Sequence, residues 1–465
     1  MLSFPLVAAI AVASAVPTQI HISYTQVPYE LAVDFVSQDA SGYVAFGTTA
    51  GGPFTTRAST SFNFSTIGFM HQAVMSFQDS AVGFYKVGSA SNESALFAVT
   101  LTPTRAERFA VIGDFGLRHD ECMADLVQGA AAGAFDSVIH VGDWSYNFED
   151  AGSSSGNAFM TLMQGYAATK PVMPACGNHE ACGDCLPVAE LPLSAGNFTQ
   201  YRARMHAVSL NSNTGNNIFY SFDRGLTHFI IFSAEAYLYA RSEVFLANQL
   251  AFIKADLAAV DRRVTPWVVG AVHKDWTMAA EAFAAFSPVL EAGGVDVTFV
   301  GHVHYYNRYM PYNPMTNNID TAAVSADGGT YTDAKWMVTI VTGAAGNHED
   351  EKAYTKEPPS YTGVENYGAW PPSRAPPHPL MLFFYADHSF SSHCSFPPNR
   401  VRLLAGAQRD ARNMGLQDSC CEQGPKGLGR PPCARAAWPR PLERVETKAG
   451  LQSRPSIPAW TGGEG

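Results

Sequence analysis

Seven side chains in five short segments have the types and the spacing of a metal site. The segments are IGDFG, VGDWSY, CGNHE, AVHKD and VGHVH, and each follows or ends a short apolar run that is typical of a β-strand. We therefore expect the donors to converge at the strand ends of one sheet. The predicted metal ligands are Asp114, Asp143, Tyr146, Asn178, His273, His302 and His304.

The donor types suit two cations rather than one. Two cations a few ångströms apart repel each other, and an anionic ligand that they share offsets this repulsion. We expect Asp143 to be that bridge. The phenolate of Tyr146 favours a hard trivalent ion, for which Fe(III) is the usual biological choice, whereas Asn178 and His273 suit a softer divalent ion.

The two histidines of GHVH complete the ligand set. His302 and His304 are two residues apart, so in an extended segment both point to one side and each imidazole can bind a different ion. Each ion then has four protein ligands and keeps open positions for water and for a phosphate oxygen, as a hydrolytic site requires.

His179 follows Asn178 and is the predicted catalytic residue. We expect it to hydrogen-bond the phosphoryl group or the leaving group, and the alternative is that it only braces its loop. Residues 346–349 repeat the GNHE motif and are interpreted as a structural turn. His140 and His228 are expected to be structural or ordinary polar positions, and Arg308 to form a surface ion pair.

The order GDFG, GDWSY, GNHE, a histidine after an apolar run, and GHVHYYNR resembles the purple acid phosphatases among the calcineurin-like metallophosphoesterases. The tyrosine is the residue that distinguishes them, and the resemblance runs from about residue 17 to about residue 368. It implies that Fe(III) is held by Asp114, Asp143, Tyr146 and His304. It implies that a divalent zinc, manganese or iron ion is held by Asp143, Asn178, His273 and His302.

One segment departs from that family. Plant-type members carry further histidines shortly after the residue that matches His273, and these contact the substrate phosphate, whereas this chain has HKDWTMAAEAFAAF. Three interpretations remain open: Lys274 substitutes as a positive contact, Asp275 and Trp276 shape the pocket, or Lys274 is a solvated side chain beside a helix start.

The chain alternates between two kinds of pattern. Up to about residue 104 short β-type runs alternate with turn residues, which predicts an all-β sandwich that resembles a fibronectin type III-like domain. We expect this domain to serve packing or homodimer formation. From residue 105 strands alternate with helical stretches, which predicts an α/β catalytic domain, and the resemblance implies two sheets flanked by helices. The predicted domains are residues 16–104 and 105–368.

The first 15 residues form a short apolar stretch that ends in a small-x-small pattern, which predicts a signal peptide and secretion. No Lys or Arg precedes the stretch, and a buried N-terminal helix or strand is the alternative. Sequons at Asn63, Asn92 and Asn197 agree with glycosylation on a secretory route. Cys176, Cys182 and Cys185 predict a disulfide that pins the GNHE loop, with Cys122 as a partner for the remaining cysteine.

Composition limits the classes of partner. The chain has 465 residues, 46% of them hydrophobic, and can bury a large core. Its formal net charge of −11 argues against a nucleic-acid partner and against an anionic membrane surface, because both reward a basic face. No later apolar run is long enough to span a bilayer. A small phosphate ester is the expected partner, because bound metals supply local positive charge.

Residues 369–465 break the pattern. They are dense in Pro, Gly and Arg, and residues 400–465 carry 11 Lys and Arg against 6 Asp and Glu. This composition predicts disorder, or a segment foreign to the gene, in place of the closing strand that the resemblance implies.

The function that these features predict is a secreted acid phosphatase that hydrolyses phosphate monoesters by attack of a metal-bound hydroxide. A phosphodiesterase or nucleotide pyrophosphatase on the same scaffold is the first alternative. A non-catalytic interaction protein that acts through the N-terminal sandwich is the second.

Overall fold

The computed structural model describes most of residues 16–347 and four strands beyond them. The described residues are 16–64, 67–101, 107–117, 121–181, 198–238, 243–275, 279–304, 306–313, 316, 318–324, 331, 334–347, 362–366, 382–387, 400–405 and 414–418. The predicted signal peptide, Asn197, Cys182, Cys185, Trp276 and the second half of the repeated GNHE motif lie outside them.

The N-terminal region is all-β and consists of two antiparallel sheets. Its strands are β1 (Thr18–Tyr24), β2 (Glu30–Ser37), β3 (Gly42–Gly47), β4 (Thr55–Ala58), β5 (Thr60–Asn63), β6 (Phe69–Ser76), β7 (Val82–Ser89) and β8 (Phe97–Thr100). One sheet has the order β1-β2-β6-β5 and the other the order β4-β3-β7-β8. Side chains from both sheets, such as Phe35 and Tyr85, share one buried cluster. The expected all-β region is confirmed, and its fibronectin type III-like character stays a prediction.

This region packs tightly against the rest of the chain. The Asp34 carboxylate of β2 accepts the backbone N–H of Ala207 at 2.8 Å, and the Tyr85 hydroxyl donates to the Ala168 carbonyl at 2.7 Å. Arg204 is fully buried and donates to the Gln19 side chain of β1 at 3.0 Å. Buried polar groups that are satisfied across a contact fix its geometry, so the two regions form one continuous structure.

The second region contains two mixed sheets and the helices. Its helices are α1 (Glu121–Ala131), α2 (Asp150–Ala167), α3 (Asn178–Ala181), α4 (Thr199–Arg204), α5 (His206–Asn211), α6 (Glu235–Leu238), α7 (Glu243–Ala259) and α8 (Ala280–Ala292), with a 3-10 turn at Thr321–Ala323. Its first strands are β9 (Arg108–Ile112), β10 (Phe115–Gly116), β11 (Ser137–His140), β12 (Trp144–Ser145), β13 (Val172–Pro174), β14 (Tyr220–Arg224), β15 (Thr227–Ile231), β16 (Trp267–Ala271), β17 (Val297–Val300) and β18 (Tyr306–Tyr309). The others are β19 (Tyr312–Asn313), β20 (Asn318–Ile319), β21 (Val338–Thr342), β22 (Thr362–Asn366), β23 (Leu382–Asp387), β24 (Arg400–Ala405) and β25 (Met414–Asp418). Over the described part of the chain, no helix combines the length and the apolar character needed to cross a bilayer.

The main sheets have the orders β13-β11-β9-β23-β24-β25 and β14-β15-β16-β17-β21-β18-β22. In the first, β13, β11 and β9 are parallel, and in the second β15, β16, β17 and β21 are parallel. The segment FYSFDRGLTHFIIF forms the antiparallel hairpin of β14 and β15.

The two sheets pack face to face with helices outside them. Phe109 of β9 and Phe229 of β15 point inwards, with their ring centroids 4.8 Å apart. The next residues along these strands, Ala110 and Ile230, belong instead to a second cluster that includes Leu126 of α1 and the buried faces of α7 and α8. Because strand side chains alternate between faces, each sheet is apolar on both sides. The expected α/β fold is therefore confirmed at the level of mixed sheets flanked by helices.

Three strands lie in the tail for which composition predicts disorder. β23 runs antiparallel to β9, β24 is parallel to β23, and β25 is antiparallel to β24. Composition predicts disorder for these segments, yet they form strands. Hydrogen bonds between strands satisfy the backbone N–H and C=O groups whatever the overall composition. The rest of residues 369–465 lies outside the described residues, and the boundary at residue 368 stays a prediction.

The cysteines differ from the prediction. Cys176 and Cys122 are both buried and neither forms a disulfide, so the expected disulfide is wrong for Cys176. The Cys176 thiol instead donates to the Ser233 hydroxyl at 3.3 Å, and burial raises its pKa well above its usual value. A buried thiol of raised pKa is a packing group rather than a reactive one.

His228 of β15 is clamped between two carboxylates. Its Nδ1 lies 2.6 Å from Asp223 Oδ1 and its Nε2 lies 2.8 Å from Asp256 Oδ2. A ring that donates from both nitrogens is an imidazolium. Asp256 of α7 also accepts the Ser221 hydroxyl at 2.7 Å, so the network ties the β14–β15 hairpin to α7. The expectation that His228 is an ordinary polar position is corrected by this buried network.

We expect the stabilisation from His228 to be lost at alkaline pH. Burial lowers its pKa, but Asp223 and Asp256 outweigh burial and raise it from 6.5 to about 9. A cation whose pKa is raised on folding stabilises the folded state fully below the unfolded value, and this contribution disappears as the pH rises through the folded value. His228→Gln should lower the free energy of unfolding by about 1–3 kcal/mol near pH 6, and the difference should close by about pH 10.

Denaturant unfolding of both proteins over this pH range measures the difference. The double variant His228→Gln/Asp256→Asn also removes the buried carboxylate that the single variant leaves without its partner, so it should recover part of the loss. A difference that stays constant with pH would contradict the prediction.

Candidate metal centre

Each predicted ligand follows a strand, but the strands belong to both main sheets. Asp114 follows β9, Asp143 follows β11 and Asn178 follows β13 in the six-stranded sheet, whereas His273 follows β16 and His302 follows β17 in the seven-stranded sheet. The expectation of one sheet is thus corrected. The donors still meet, because the parallel strands of two face-to-face sheets end at the same edge of the molecule.

One group of donors surrounds the side-chain oxygen of Asn178. His302 Nδ1 lies 2.7 Å and His273 Nε2 lies 3.0 Å from Asn178 Oδ1. His273 Nε2 is also 3.1 Å from Asp143 Oδ2. One ligand atom from each of Asp143, His273 and His302 lies within 4.8 Å of the others, which is close enough to hold one ion. Two imidazoles with oxygen donors suit a divalent transition metal.

A second group contains the phenol. Tyr146 Oη lies 2.8 Å from His304 Nε2 and 3.4 Å from Asp114 Oδ1, and His304 Nε2 is 3.4 Å from the same Asp114 oxygen. All three side chains are buried, with exposed fractions of 6% or less. The chemistry of this set, one carboxylate, one phenol and one imidazole, favours a harder ion than the first group.

The two groups are adjacent. The backbone N–H of His302, a member of the first group, donates to Asp114 Oδ2 of the second at 2.9 Å. Gly301 makes this approach possible, because a Cβ there would collide with that Asp114 oxygen and lie only 3.1 Å from His273 Nδ1. All seven predicted ligands therefore line one continuous site.

Four of these seven residues have a left-handed backbone. The φ angles are 59° at Asp114, 55° at Asp143, 50° at Tyr146 and 67° at His302. Each such non-glycine residue costs about 1–3 kcal/mol, a strain that persists only where the surrounding structure imposes it and that is typical of functional sites. Sharp turns directly after the strands aim the side chains back over the strand ends.

The ring of His273 is oriented by a backbone group. Its Nδ1 donates to the Val141 carbonyl at 2.9 Å, so Nε2 is the nitrogen that faces Asn178 and Asp143. Gly142 next to that carbonyl has a φ of 100°, and a Cβ there would lie 2.7 Å from the same ring. A histidine held through one nitrogen while the other faces oxygen donors is the usual arrangement of a metal ligand.

Comparison with known proteins agrees with this geometry. The profile of the calcineurin-like phosphoesterase family matches residues 107–306, the range that contains all seven converging donors. The chain contains a calcineurin-like phosphoesterase domain.

Relatives of this phosphoesterase are acid phosphatases. It is 28% identical over 389 residues to acid phosphatase type 7 of Mus musculus, covering 76% of this chain and 83% of that protein. It is 28% identical over 320 residues to purple acid phosphatase 18 of Arabidopsis thaliana, covering 63% of this chain and 67% of that protein. A solved purple acid phosphatase from yellow lupin (Lupinus luteus) seeds has a TM-score of 0.62 at 18% identity over 76% of this chain and 68% of its own, which shows the shared fold. The resemblance drawn from the motifs is confirmed.

The purple acid phosphatase family implies a binuclear metal centre, and the donors of this phosphoesterase fit one. The two adjacent groups offer oxygen and imidazole nitrogen donors without any competing thiolate among the described residues that form them. Asp143 in the first group is fixed by two contacts: its Oδ1 accepts the His179 N–H at 3.0 Å, and its Oδ2 faces His273.

The electrostatics of the site favour cations. Burial raises the pKa of Asp114, and His273 and His304 offset this only in part. Burial acts in the same direction on Asp143, but the charges of His273 and His179 outweigh it and lower its pKa. Burial lowers the pKa of His273, yet Asp143 and Asp114 together raise it to about 10. Two buried carboxylates thus draw the nearest imidazole into the cationic form, and a bound metal ion would supply that charge more fully.

Glu180 supports the site, and sequence reasoning missed it. Its buried carboxylate accepts the backbone N–H groups of Asp143 at 2.9 Å, Trp144 at 2.8 Å and Gly177 at 2.7 Å. It therefore joins the loop after β11 to the loop after β13. In the sequence Glu180 is the last residue of the first GNHE motif. A search for metal ligands does not select it, because its carboxylate binds backbone N–H groups.

His179 lies at the edge of the site. Its Nδ1 is 2.9 Å from Asn147 Oδ1, so that nitrogen donates to the amide oxygen, while Nε2 faces Asp143 Oδ2 at 3.9 Å. Its ring centroid is 4.5 Å from that of Tyr146. His140, by contrast, is fully buried and stacks on Trp144 with ring centroids 3.7 Å apart, consistent with its expected structural role.

The second GNHE motif has a different setting. The Gly346 carbonyl accepts the Gly116 N–H at 2.7 Å, and Gly346 forms a parallel bridge with Phe115. Gly346 thus pairs with the backbone beside Asp114, in agreement with a structural turn, while His348 and Glu349 lie outside the described residues.

The residues after His273 are only partly exposed. Lys274 Nζ lies 2.6 Å from His302 Nε2, so of the three open interpretations that of a solvated side chain is wrong, and the other two stay predictions. Asp275 is fully buried and accepts the Tyr309 hydroxyl at 2.7 Å. Arg308 is also fully buried, with its guanidinium 5.3 Å from the centre of the Tyr331 ring, so the expected surface ion pair is wrong as well.

Proposed function

We propose that this protein is a binuclear-metal acid phosphatase that hydrolyses phosphate monoesters. The observation that carries the proposal is the meeting of Asp114, Tyr146 and His304 with Asp143, Asn178, His273 and His302 in two adjacent donor groups. Acid phosphatases among the relatives support the choice of monoesters.

The ligand assignment follows the two groups. Asp114, Tyr146 and His304, together with Asp143, would hold Fe(III). Asn178, His273 and His302, again with Asp143, would hold the divalent ion, which we assign as zinc, manganese or iron. When bound, the pair of ions supplies an activated water as nucleophile and offsets the negative charge of the phosphoryl group.

His179 is the proposed proton donor. Because its Nδ1 is engaged with Asn147, its Nε2 is the nitrogen turned towards Asp143 and the site. From there it hydrogen-bonds the phosphoryl oxygen or gives a proton to the departing alkoxide, which leaves as a neutral alcohol.

We expect His179→Ala to lower kcat by about 10²–10⁴-fold while both ions are retained, because general acid catalysis contributes a factor of this size. Kinetics with an aryl phosphate and an alkyl phosphate measure the effect. The loss should be larger for the alkyl ester, whose leaving group needs the proton more. Full turnover by a variant that keeps its metals would remove this role from His179 and leave it as a loop brace.

Metal analysis with paired substrates tests the function itself. The purified protein should contain iron and a second metal, show the purple charge-transfer band of an Fe(III)-phenolate bond, and hydrolyse a phosphate monoester faster than the matching diester. Preference for the diester would favour the phosphodiesterase alternative. Two bound ions without turnover of either ester would favour the interaction protein, and a colourless protein free of iron would refute the Fe(III) assignment.

A secretory route is part of the proposal. Asn63 is exposed and Asn92 is partly exposed at the surface of the all-β region, so both sequons are open to glycosylation. Expression in a secretory host followed by glycosidase treatment should shift the mass of the protein in the medium. Protein retained in the cell without glycans would contradict this part alone.

A further inference from the structure

His140 is a buried histidine next to the loop that carries Asp143. It is the last residue of β11, and its side chain is fully buried. Its Nδ1 accepts the backbone N–H of Gly142 at 3.2 Å, so the ring proton is on Nε2. Burial lowers the pKa of His140 to about 3, with a further contribution from the charge of His273, and the neutral ring keeps Nδ1 free to accept.

This form of the ring leaves one polar group unsatisfied. Among the described residues, none accepts a hydrogen bond from Nε2 of His140, although this atom is buried. A buried donor without an acceptor destabilises the folded state, and such groups are rare in native structures. Packing does not explain why a histidine occupies this position, because phenylalanine would also stack on Trp144 and would bring no unsatisfied donor.

Nδ1 of His140 holds one end of a peptide unit whose other end orients a predicted metal ligand. The N–H of Gly142 and the carbonyl of Val141 belong to the same planar trans unit, in which N–H and C=O point in opposite directions. That carbonyl accepts Nδ1–H of His273 at 2.9 Å. A fixed direction of the N–H therefore fixes the direction of the carbonyl, and with it the ring of His273.

The hydrogen bond from Gly142 is needed because the backbone there is intrinsically free to rotate. Gly142 has a φ of 100°, and glycine adopts many values in this region at little cost. A larger residue would be stiffer but is excluded, since its Cβ would lie 2.7 Å from His273 Nδ1 and 2.8 Å from the Gly177 nitrogen. The Gly142 carbonyl also accepts the N–H of Asp114 at 3.0 Å, so a rotation here would disturb a second ligand loop.

We propose that His140 is a positioning residue of the metal centre, which fixes the Val141–Gly142 peptide unit and so holds Nε2 of His273 towards Asn178 and Asp143. This inference rests on the proposed function and deepens it by naming a residue that acts through a ligand. The unsatisfied Nε2–H follows from the use of Nδ1 as the acceptor. A group that lowers stability is thus retained because the geometry of the centre depends on it.

Two substitutions separate the acceptor from the ring. His140→Phe keeps a ring against Trp144 but removes the acceptor, and it exchanges one unsatisfied donor, Nε2–H, for another, the Gly142 N–H. His140→Asn keeps an acceptor, because the side-chain oxygen takes about the position of Nδ1, but removes most of the ring. His71→Phe is the matched control. His71 is also fully buried and stacked on a ring, that of Phe35 at 4.6 Å between centroids, but it lies in the all-β region.

Zinc alone is the probe. Metal-free full-length protein is titrated with Zn(II) in competition with a chromophoric chelator, and thermal unfolding of the same sample gives its midpoint. We expect His140→Phe to weaken zinc binding by about 10–100-fold, the usual effect of losing a group that orients a ligand, with a midpoint close to that of the wild type.

The other two variants should show the opposite pattern. His140→Asn should bind zinc nearly as well as the wild type but unfold at a lower midpoint, because the missing ring leaves a cavity. His71→Phe should also unfold at a lower midpoint, since His71 loses its hydrogen bonds to Ser37 and Ser59, and its zinc affinity should not change.

Three results would overturn the inference. These are wild-type zinc affinity in His140→Phe, loss of zinc binding in His140→Asn, whose acceptor is still present, and a zinc affinity that simply follows the midpoint across the variants. The titration needs no substrate, so failure of the proposed function is seen separately, as a wild type that binds two ions but does not hydrolyse the monoester.

Discussion

Asp143→Asn should leave the enzyme with fewer than two metal ions and reduce phosphatase kcat/KM by about 10³-fold or more. Asp143 is the proposed shared ligand, so its removal takes an anion from both ions and restores their mutual repulsion. Stabilisation of the reacting charges by metal ions is worth several kcal/mol, and each 1.36 kcal/mol is about tenfold in rate. Metal analysis and kinetics on the same sample measure both effects.

A buried aspartate outside the centre provides the control for this variant. Asp34 is 1% exposed and binds the Ala207 N–H between the two regions. Asp34→Asn should lower stability but leave the metal content and kcat close to those of the wild type. If Asp143→Asn keeps two ions and normal turnover, the proposed centre is refuted, whatever the result for the Asp34 variant.

Glu180→Gln should weaken metal binding by about 10–100-fold, the usual effect of losing a partner that orients ligands. The glutamate accepts three backbone N–H groups, from Asp143, Trp144 and Gly177, and a Gln amide would turn an N–H₂ group towards at least one of them. An unsatisfied buried N–H costs about 1–3 kcal/mol. The loops that carry Asp143 and Asn178 should then separate.

Rescue by metal distinguishes a positioning role from a catalytic one. Excess metal should restore most of the activity of Glu180→Gln, since the ligands themselves remain, and should not restore that of Asp143→Asn. Thermal unfolding should show a lower midpoint for Glu180→Gln. Glu243→Gln, at the exposed start of α7, should change neither quantity. Activity that stays low at saturating metal would mean that Glu180 acts on the substrate directly.

The sequence predicted the metal centre and the fold to different extents. The α/β alternation and the all-β region follow from local periodicity, which is why both appear in the structure as expected. The interpretations of Arg308 and His228 failed because of burial: Arg308 is buried beside Tyr331, and His228 is buried between Asp223 and Asp256. Burial of one residue depends on strands and helices far away in the chain, and a local pattern does not contain it.

The cysteines show the same limit. Clustering of Cys176 with Cys182 and Cys185 predicts a disulfide, yet Cys176 contacts Ser233, which is 57 residues away, and is free. A bond between two cysteines depends on the distance and direction of their Cβ atoms, which spacing in the sequence does not fix.

By itself the sequence determined the chemistry of this protein: which donors it has, in which order, and that each follows a strand. These properties are local, because residue type sets ligand softness and periodicity sets secondary structure. Only the tertiary structure decided that two sheets supply the donors, and that His273 faces the centre through Nε2 and His302 through Nδ1. It also decided that Glu180 accepts backbone N–H groups of the ligand loops and that Lys274 contacts His302. Such choices depend on atoms from segments that are distant in the chain, such as Val141 and His273, which are 132 residues apart, and packing of the whole chain places them.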